Sequence, residues 1–251
     1  MSNKRRRNRS QIESLLAILH FGTGLASLTF SILVTIVWRY WKDVLNTCMD
    51  AHCNCILYAT ALSHTVIGSD TAICKYVAFL PVPITIWATI MGSYHGYRAC
   101  IRRTNYSANR RRSAMFVNEA ARLHSKKNYS LGYSCLFIIS SIIVIIGIGI
   151  SITVTYGYYS TCASYRTAVL KQLSATGNLA AMVQERMSCS TVYDFLDYIQ
   201  PEPDYMENKF RRNTYIINTG LLLQIAIIST WLSVLAWLAI VLLNLFLIFK
   251  S

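Results

Sequence analysis

The chain has 251 residues, with 24 Lys plus Arg against 11 Asp plus Glu and a formal net charge of +13. Fifty-four per cent of it is hydrophobic and only 14 per cent is charged, whereas about a quarter of the residues of a soluble domain are charged. That balance excludes a soluble enzyme and, despite the basic excess, a nucleic-acid-binding domain.

Residues 14–38, 76–97, 130–165 and 213–249 contain no Asp, Glu, Lys or Arg. Each meets the roughly 20 residues needed to cross about 30 Å of hydrocarbon as a helix. The fold class expected is therefore an all-α membrane protein: a four-transmembrane-helix bundle with a small disulfide-linked exoplasmic region. The spans are set at 14–38, 76–97, 130–158 and 213–249. They are joined by an exoplasmic loop at 39–75, a basic loop at 98–129 and a second exoplasmic loop at 159–212.

The first run follows Lys4-Arg5-Arg6-Arg7 and has 25 uncharged residues, too many for the 7–15-residue core of a signal peptide. It ends in Trp38-Arg39-Tyr40-Trp41, an aromatic anchor at the interface. In the second, Pro81 fits the first helical turn, where its missing N–H costs little, and Pro83 is expected to bend or delay the helix. The third has a β-branched core, Ile138–Ile152, but a span must satisfy its backbone internally, which selects helix. The fourth exceeds what a bilayer needs and should tilt or project.

Sorting charge by side fixes the expected orientation. The N-terminus, the 98–129 loop and Lys250 hold 15 basic residues against Glu13 and Glu119, a net of +13. The other side, residues 39–75 and 159–212, holds nine of each sign. Positively charged loops stay inside, so both termini are expected in the cytosol of a plasma-membrane or other secretory-pathway membrane protein. The sequons at Asn8, Asn105 and Asn128 then face the cytosol and should carry no glycan.

Six of the eight cysteines fall on the exoplasmic side: Cys48, Cys53, Cys55, Cys74, Cys162 and Cys189. An even number in an oxidising compartment suggests disulfides, and six cysteines permit 15 pairings. The pairings expected are Cys55–Cys74 and Cys162–Cys189, each closing a loop within one segment, with Cys48–Cys53 as the remainder. A metal reading of His52, Cys53, Cys55 and His64 is disfavoured, because paired ligands show wider spacing. Cys100, beside Arg98, Arg102 and Arg103, is a juxtamembrane thiol that fits S-palmitoylation or a buried free cysteine equally.

Arg102, Arg103, Arg110, Arg111 and Arg112 form a cluster suited to anionic lipid headgroups, or one that only sets topology. Phe116–Ser125 reads as a short interfacial helix. Gly92-x-x-x-Gly96 and Gly147-x-x-x-Ser151 offer small surfaces for close helix approach, within the bundle or between copies. Asn218, Gln224 and Asn244 in the fourth span, with His20 and His95 in the first two, are intramembrane polar groups; interhelical hydrogen bonding is their ordinary use. No catalytic motif, internal inverted repeat or phosphate-cradling loop is present, so no catalytic, cofactor or metal residue is assigned. In the second exoplasmic loop, Ala168–Met187 reads as helix interrupted at Gly177-Asn178. Tyr193, Phe195, Tyr198 and Tyr205 lie around an acidic stretch, facing a partner or covering a small core.

The layout is similar to claudin-like tetraspan proteins, although their W-[GN]-L-W signature is absent. It more closely resembles the transmembrane protein 179 family. The matching patches are Cys55-Ile56-Leu57-Tyr58, Cys74-Lys75-Tyr76, Cys162 with Cys189, and the span-four stretch Thr230–Ala239 with its two tryptophans. The basic N-terminus, Cys48, Cys53 and the short C-terminal tail depart from that pattern. The resemblance implies an architecture rather than a reaction.

The function expected is that of a non-enzymatic tetraspan serving as accessory subunit or organiser of a membrane complex. The alternatives are a small oligomeric channel lined by Asn218, Gln224 and Asn244, or a cell-junction or vesicle tetraspan. The expected partners are the lipid bilayer, anionic lipids, other membrane proteins and further copies of the chain, with no nucleic acid.

Overall fold

A computed structural model describes residues 2–42, 45, 53–61, 66–109, 119–174, 176–199 and 217–250. The side chains of 2–10, 102–109, 119–132, 198–199 and 250 lie outside that description. In chain order the elements are α1 (Ser2–Lys42), β1 (Cys55–Ala61), β2 (Val66–Ser69), α2 (Thr71–Phe79), α3 (Pro81–Asn109), α4 (Glu119–Gln172), α5 (Asn178–Arg186), α6 (Cys189–Ile199) and α7 (Thr219–Lys250). Among the described residues, four helical stretches are long and apolar enough to cross a membrane: Gln11–Lys42, Thr71–Ile101, Tyr133–Gln172 and Thr219–Phe249. The first three extend beyond the expected spans, because helix continues into polar sequence wherever nothing breaks the backbone ladder.

The second stretch is two helices. Asp70 caps α2 by accepting from the Ala72 amide at 2.8 Å, satisfying one of the amides that a helix start leaves unpaired. The interruption falls at Leu80, whose amide still donates to the Tyr76 carbonyl at 3.1 Å. Pro81 then opens α3 at the position where no amide is needed. Pro83 lies in the same first turn, inside α3. The break comes before both prolines.

The all-α expectation is also corrected. Strands β1 and β2 pair antiparallel, with Cys55 opposite Ser69, Thr60 opposite Ile67 and Ala61 opposite Val66. Five residues of β1 thus advance against two of β2, and the excess forms a bulge between Cys55 and Thr60. Tyr58 sits in that bulge at φ 61°, an uncommon conformation for an aromatic residue.

The chain divides into two compact units. Unit 1 comprises 1–28, 83–149 and 231–251, and unit 2 comprises 29–82 and 150–230. Within unit 1, segments of α1, α3, α4 and α7 share one core: Leu16, Ala88, Tyr133, Ile143, Val144, Trp237, Ile240 and Leu247. Their outer faces carry large apolar side chains such as Ile18, Ile90, Ile145 and Leu242, each more than half exposed. That outward arrangement suits hydrocarbon as solvent.

Unit 2 is built around Phe30, Val34, Trp41, Ile56, Leu57, Val77, Tyr158, Tyr193 and Leu223, all buried. Two disulfides pin it, Cys55–Cys74 and Cys162–Cys189. Thr161 joins the hairpin to α4: its hydroxyl donates to the Ile56 carbonyl at 2.8 Å and accepts from the Ala59 amide at 3.0 Å. Ser164 accepts from the Ala61 amide at 2.9 Å. Helix side chains therefore satisfy an edge that a two-stranded sheet leaves open. Gly157 lets β1 approach, since a Cβ there would lie 3.0 Å from Leu57 Cβ and from the Tyr58 ring.

Candidate functional site

The most polar part of unit 1 begins from a spacing in α1. Glu13, His20, Ser27, Val34 and Trp41 recur every seven residues, and all five are buried. On a helix such residues share one face. At Glu13 that face carries a carboxylate 1 % exposed. An unpaired buried charge is very costly, and among the described residues His95, Tyr133 and Arg98 surround this one. His95 Nδ1 lies 2.8 Å from Glu13 Oε2, the Tyr133 hydroxyl donates to Oε1 at 2.8 Å, and Arg98 stands 3.4 Å from Oε1.

Neighbouring groups hold these partners in place. Arg98 donates to the Tyr94 hydroxyl at 3.0 Å and lies 5.3 Å from that ring's centroid. The His95 ring stacks on His20 at 5.4 Å, and His20 meets Trp237 edge-on at 5.5 Å. The Nδ1–H of His20 donates to the Leu16 carbonyl at 2.8 Å. Among the described residues, His95 Nε2, Trp237 Nε1 and Asn244 Oδ1 of this unit are buried without a hydrogen-bond partner. The arrangement links α1, α3 and α4 through one carboxylate. Among the described residues, no three His, Cys, Asp or Glu side chains converge as a metal site.

Glu13 is the residue that the sequence reading missed. It was counted with the basic N-terminus, and its seven-residue spacing from His20 was the available signal. His20 and His95, read separately as polar residues in two spans, lie against each other.

The remaining candidates fall as follows. Gly92 packs on Phe21, where an added Cβ would come within 3.2 Å of the ring, and Gly147 packs on Val234 at the same distance. Gly96 faces Ala17, at 3.9 Å from such a Cβ. Ser151 hydrogen-bonds Thr230 at 2.9 Å. These small residues thus serve approach between helices of the same chain. Asn218 accepts from the Leu221 amide at 2.8 Å and caps α7. Gln224 donates to the Tyr158 hydroxyl at 3.1 Å, and Asn244 is buried.

Cys53 is half-buried, and its expected partner Cys48 lies outside the described residues, as do His52 and His64. Cys100 and Cys135 are exposed and take no part in the two disulfides. Arg102 and Arg103 lie on the backbone of α3, and Arg110, Arg111 and Arg112 lie outside the described residues. The segment Phe116–Ser125 enters the description at Glu119, where it is the first part of α4 rather than a separate short helix.

Unit 2 has its own polar centre at the start of α7. Asp197 of α6 accepts from the Thr219 amide at 2.8 Å and from the Thr219 hydroxyl at 2.6 Å. Trp41 Nε1 donates to the same hydroxyl oxygen at 3.0 Å. Burial raises the Asp197 pKa, the Thr219 hydrogen bonds oppose that shift, and Asp194 adds to it. Nearby, Tyr193 stacks on Tyr158 with centroids 4.8 Å apart, and burial pushes its phenol pKa upward. Tyr193 therefore belongs to the core of this unit, whereas Phe195 is 49 % exposed. Tyr198 and Tyr205 lie outside the side-chain description. Helix α5 follows Gly177, which takes φ 60°, matching the interruption read from Gly177-Asn178.

Among the described residues, these features define a mostly helical chain with four apolar helices of membrane-crossing length and two disulfides. No family model, curated protein or solved structure matches it.

Proposed function

We propose that this is a non-enzymatic four-span membrane protein that acts by lateral association, as an accessory subunit or organiser of a membrane complex. Both termini and the basic 98–129 segment face the cytosol in this reading, and unit 2 presents its disulfide-linked surface outside. The observation carrying it is how the polar residues of the apolar helices are used. Gln224, Ser151 and Thr230 hydrogen-bond one another or a core tyrosine within unit 2. In unit 1, Glu13 gathers His95, Arg98 and Tyr133. Large apolar side chains are left to face outward. Such a chain offers a lipid- and helix-compatible exterior with little polar surface for a shared pore.

The basic 98–129 segment would add attraction to an anionic inner leaflet. The shared layout with the transmembrane protein 179 family is proposed on the cysteine and tryptophan patches alone. Purification of the full chain in mild detergent, followed by mass spectrometry, tests the association. Recovery solely as a lone monomer would argue against it. Reconstitution separates the channel alternative: conductance from intact oligomers would replace this reading. Glycan on Asn8, Asn105 or Asn128 would overturn the orientation.

A further inference from the structure

Within unit 2, α1 and α2 adjoin and repeat one vertical order of side chains. Ser31 of α1 donates to the Ala78 carbonyl of α2 at 2.6 Å, and Trp38 meets Phe79 edge-on with centroids 6.1 Å apart. On α1, Lys42 follows Trp38 by one turn, and Arg39 follows the exposed Ile36 and Ile32. On α2, Lys75 precedes the exposed Phe79 by one turn, and the exposed Val82 lies beyond it. In chain order α1 runs toward the hairpin and α2 away from it. Side chains lean toward the N-terminus of their own helix. Lys42 therefore leans back toward Trp38 while Lys75 leans away from Phe79, which brings the two ammonium groups toward one level.

Cation, aromatic ring and aliphatic side chain in succession match a glycerophospholipid read inward: phosphate, ester carbonyl, acyl chain. A second observation falls at the middle level. The Trp38 indole N–H is buried and, among the described residues, has no hydrogen-bond partner. A buried donor without an acceptor is destabilising, and an ester carbonyl supplies one. The cations above are available as well. Among the described residues, no ion pair involves Arg39, Lys42 or Lys75, and the carboxylate of Asp70 accepts from the Ala72 amide. We propose that α1 and α2 bind one anionic glycerophospholipid, its phosphodiester between Lys42 and Lys75 and its ester carbonyl accepting from Trp38 Nε1.

Phe79, Val82 and Ile36 line the acyl chains. Neighbouring side chains cover the Trp38 N–H, and seating the carbonyl moves one of them aside. A net negative headgroup is selected, because a zwitterionic one brings its own ammonium toward the two lysines. The site lies at the other end of α1 from the Lys4–Arg9 tail and uses none of the 98–129 cations. It rests on the reading that these helices span a bilayer.

The full chain in phosphatidylcholine nanodiscs, titrated with phosphatidylglycerol brominated on its acyl chains, provides the test, read by tryptophan fluorescence. Quenching of Trp38, taken as the difference from Trp38→Phe, should saturate at low fractions of the anionic lipid. One cation near an anionic headgroup shifts binding about fivefold, so Lys42→Gln and Lys75→Gln should each raise half-saturation by that factor. The double variant should raise it roughly 25-fold. Lys171→Gln, which removes an exposed cation of α4, should leave it unchanged. Quenching that only tracks the brominated fraction, or that is equal in the double variant, marks ordinary surrounding lipid and overturns the proposal. Brominated phosphatidylcholine alone checks the underlying reading, since it should quench the outward-facing Trp231. No quenching there would sink the four-span reading and this site with it. If Trp38→Phe does not fold, the shifts in the lysine variants are read from total fluorescence with the same outcomes.

Discussion

Replacing Asp197 with Ala should destabilise unit 2 by removing the anion that holds the start of α7. Asp197 is 6 % exposed and accepts two hydrogen bonds, both from a Thr219 that is fully buried. Its removal strands the Thr219 amide and leaves the hydroxyl without its acceptor, and each unsatisfied buried donor costs about 1–3 kcal/mol. The negative charge at a helix N-terminus adds a favourable term of roughly 0.3–1 kcal/mol. Relief of the buried carboxylate offsets part of this, so the net loss should be about 2–4 kcal/mol. Asp197→Asn should cost less, because one acceptor survives, although its NH₂ group then faces a donor.

The pH dependence follows from the raised pKa, which burial causes against the opposing Thr219 bonds. The folded state retains the proton to higher pH than the unfolded chain, whose reference value is 3.8. The stabilising contribution is thus fully present below that value, declines as pH rises through the folded pKa, and is constant above it. Thermal unfolding of the purified protein, followed by near-ultraviolet circular dichroism from pH 3.5 upward, would measure both effects. Wild type should lose stability relative to Asp197→Asn as pH rises. A change below about 0.5 kcal/mol in Asp197→Ala, the level of an ordinary surface substitution, would refute the capping argument. An identical pH slope in Asp197→Asn would refute the linkage argument.

Three further substitutions probe unit 2. Changing both Cys55 and Cys74 to Ser opens a loop of 19-residue separation and should cost about 3 kcal/mol, with slightly more for the 27-residue separation of Cys162–Cys189; non-reducing unfolding curves would show the loss. Thr161→Val keeps the shape but leaves the Ala59 amide and Ile56 carbonyl without their hydroxyl partner, costing about 1–3 kcal/mol, read as faster proteolysis within 53–69. Gly157→Val pushes a Cβ to 3.0 Å from Leu57 and Tyr58 and should destabilise by roughly 1–3 kcal/mol through overpacking, measured by the fall in melting temperature.

The membrane-crossing helices were legible because hydrocarbon imposes a length and composition rule that sequence alone can meet. Gly177-Asn178 was legible for a local reason, since glycine tolerates the φ of 60° found there. The hairpin was not. Its first strand, Cys-Ile-Leu-Tyr-Ala-Thr-Ala, is interrupted by a bulge that destroys the alternation by which strands are recognised. The edge of β1 is completed by Thr161 and Ser164, about 100 residues away in sequence. No window of local sequence contains that information.

Glu13 was obscured for the opposite reason. A scan for uncharged runs begins one residue after it and assigns it to the solvated tail with Lys4 through Arg9. Its periodicity says otherwise, because Glu13, His20, Ser27, Val34 and Trp41 occupy the same buried face. An apolar-run criterion treats a charge as the end of a span, while burial is decided by whether partners exist to meet it. Here they come from two other helices: His95 and Arg98 of α3, and Tyr133 of α4. Glu13→Leu would restore an unbroken apolar start to this face while leaving the partners without their carboxylate. It should therefore weaken unit 1 by about 3–5 kcal/mol, the loss seen when one member of a buried pair is removed, despite making the first span more hydrophobic. An unfolding midpoint equal to or above wild type would show that hydropathy, rather than the paired carboxylate, governs this end of α1.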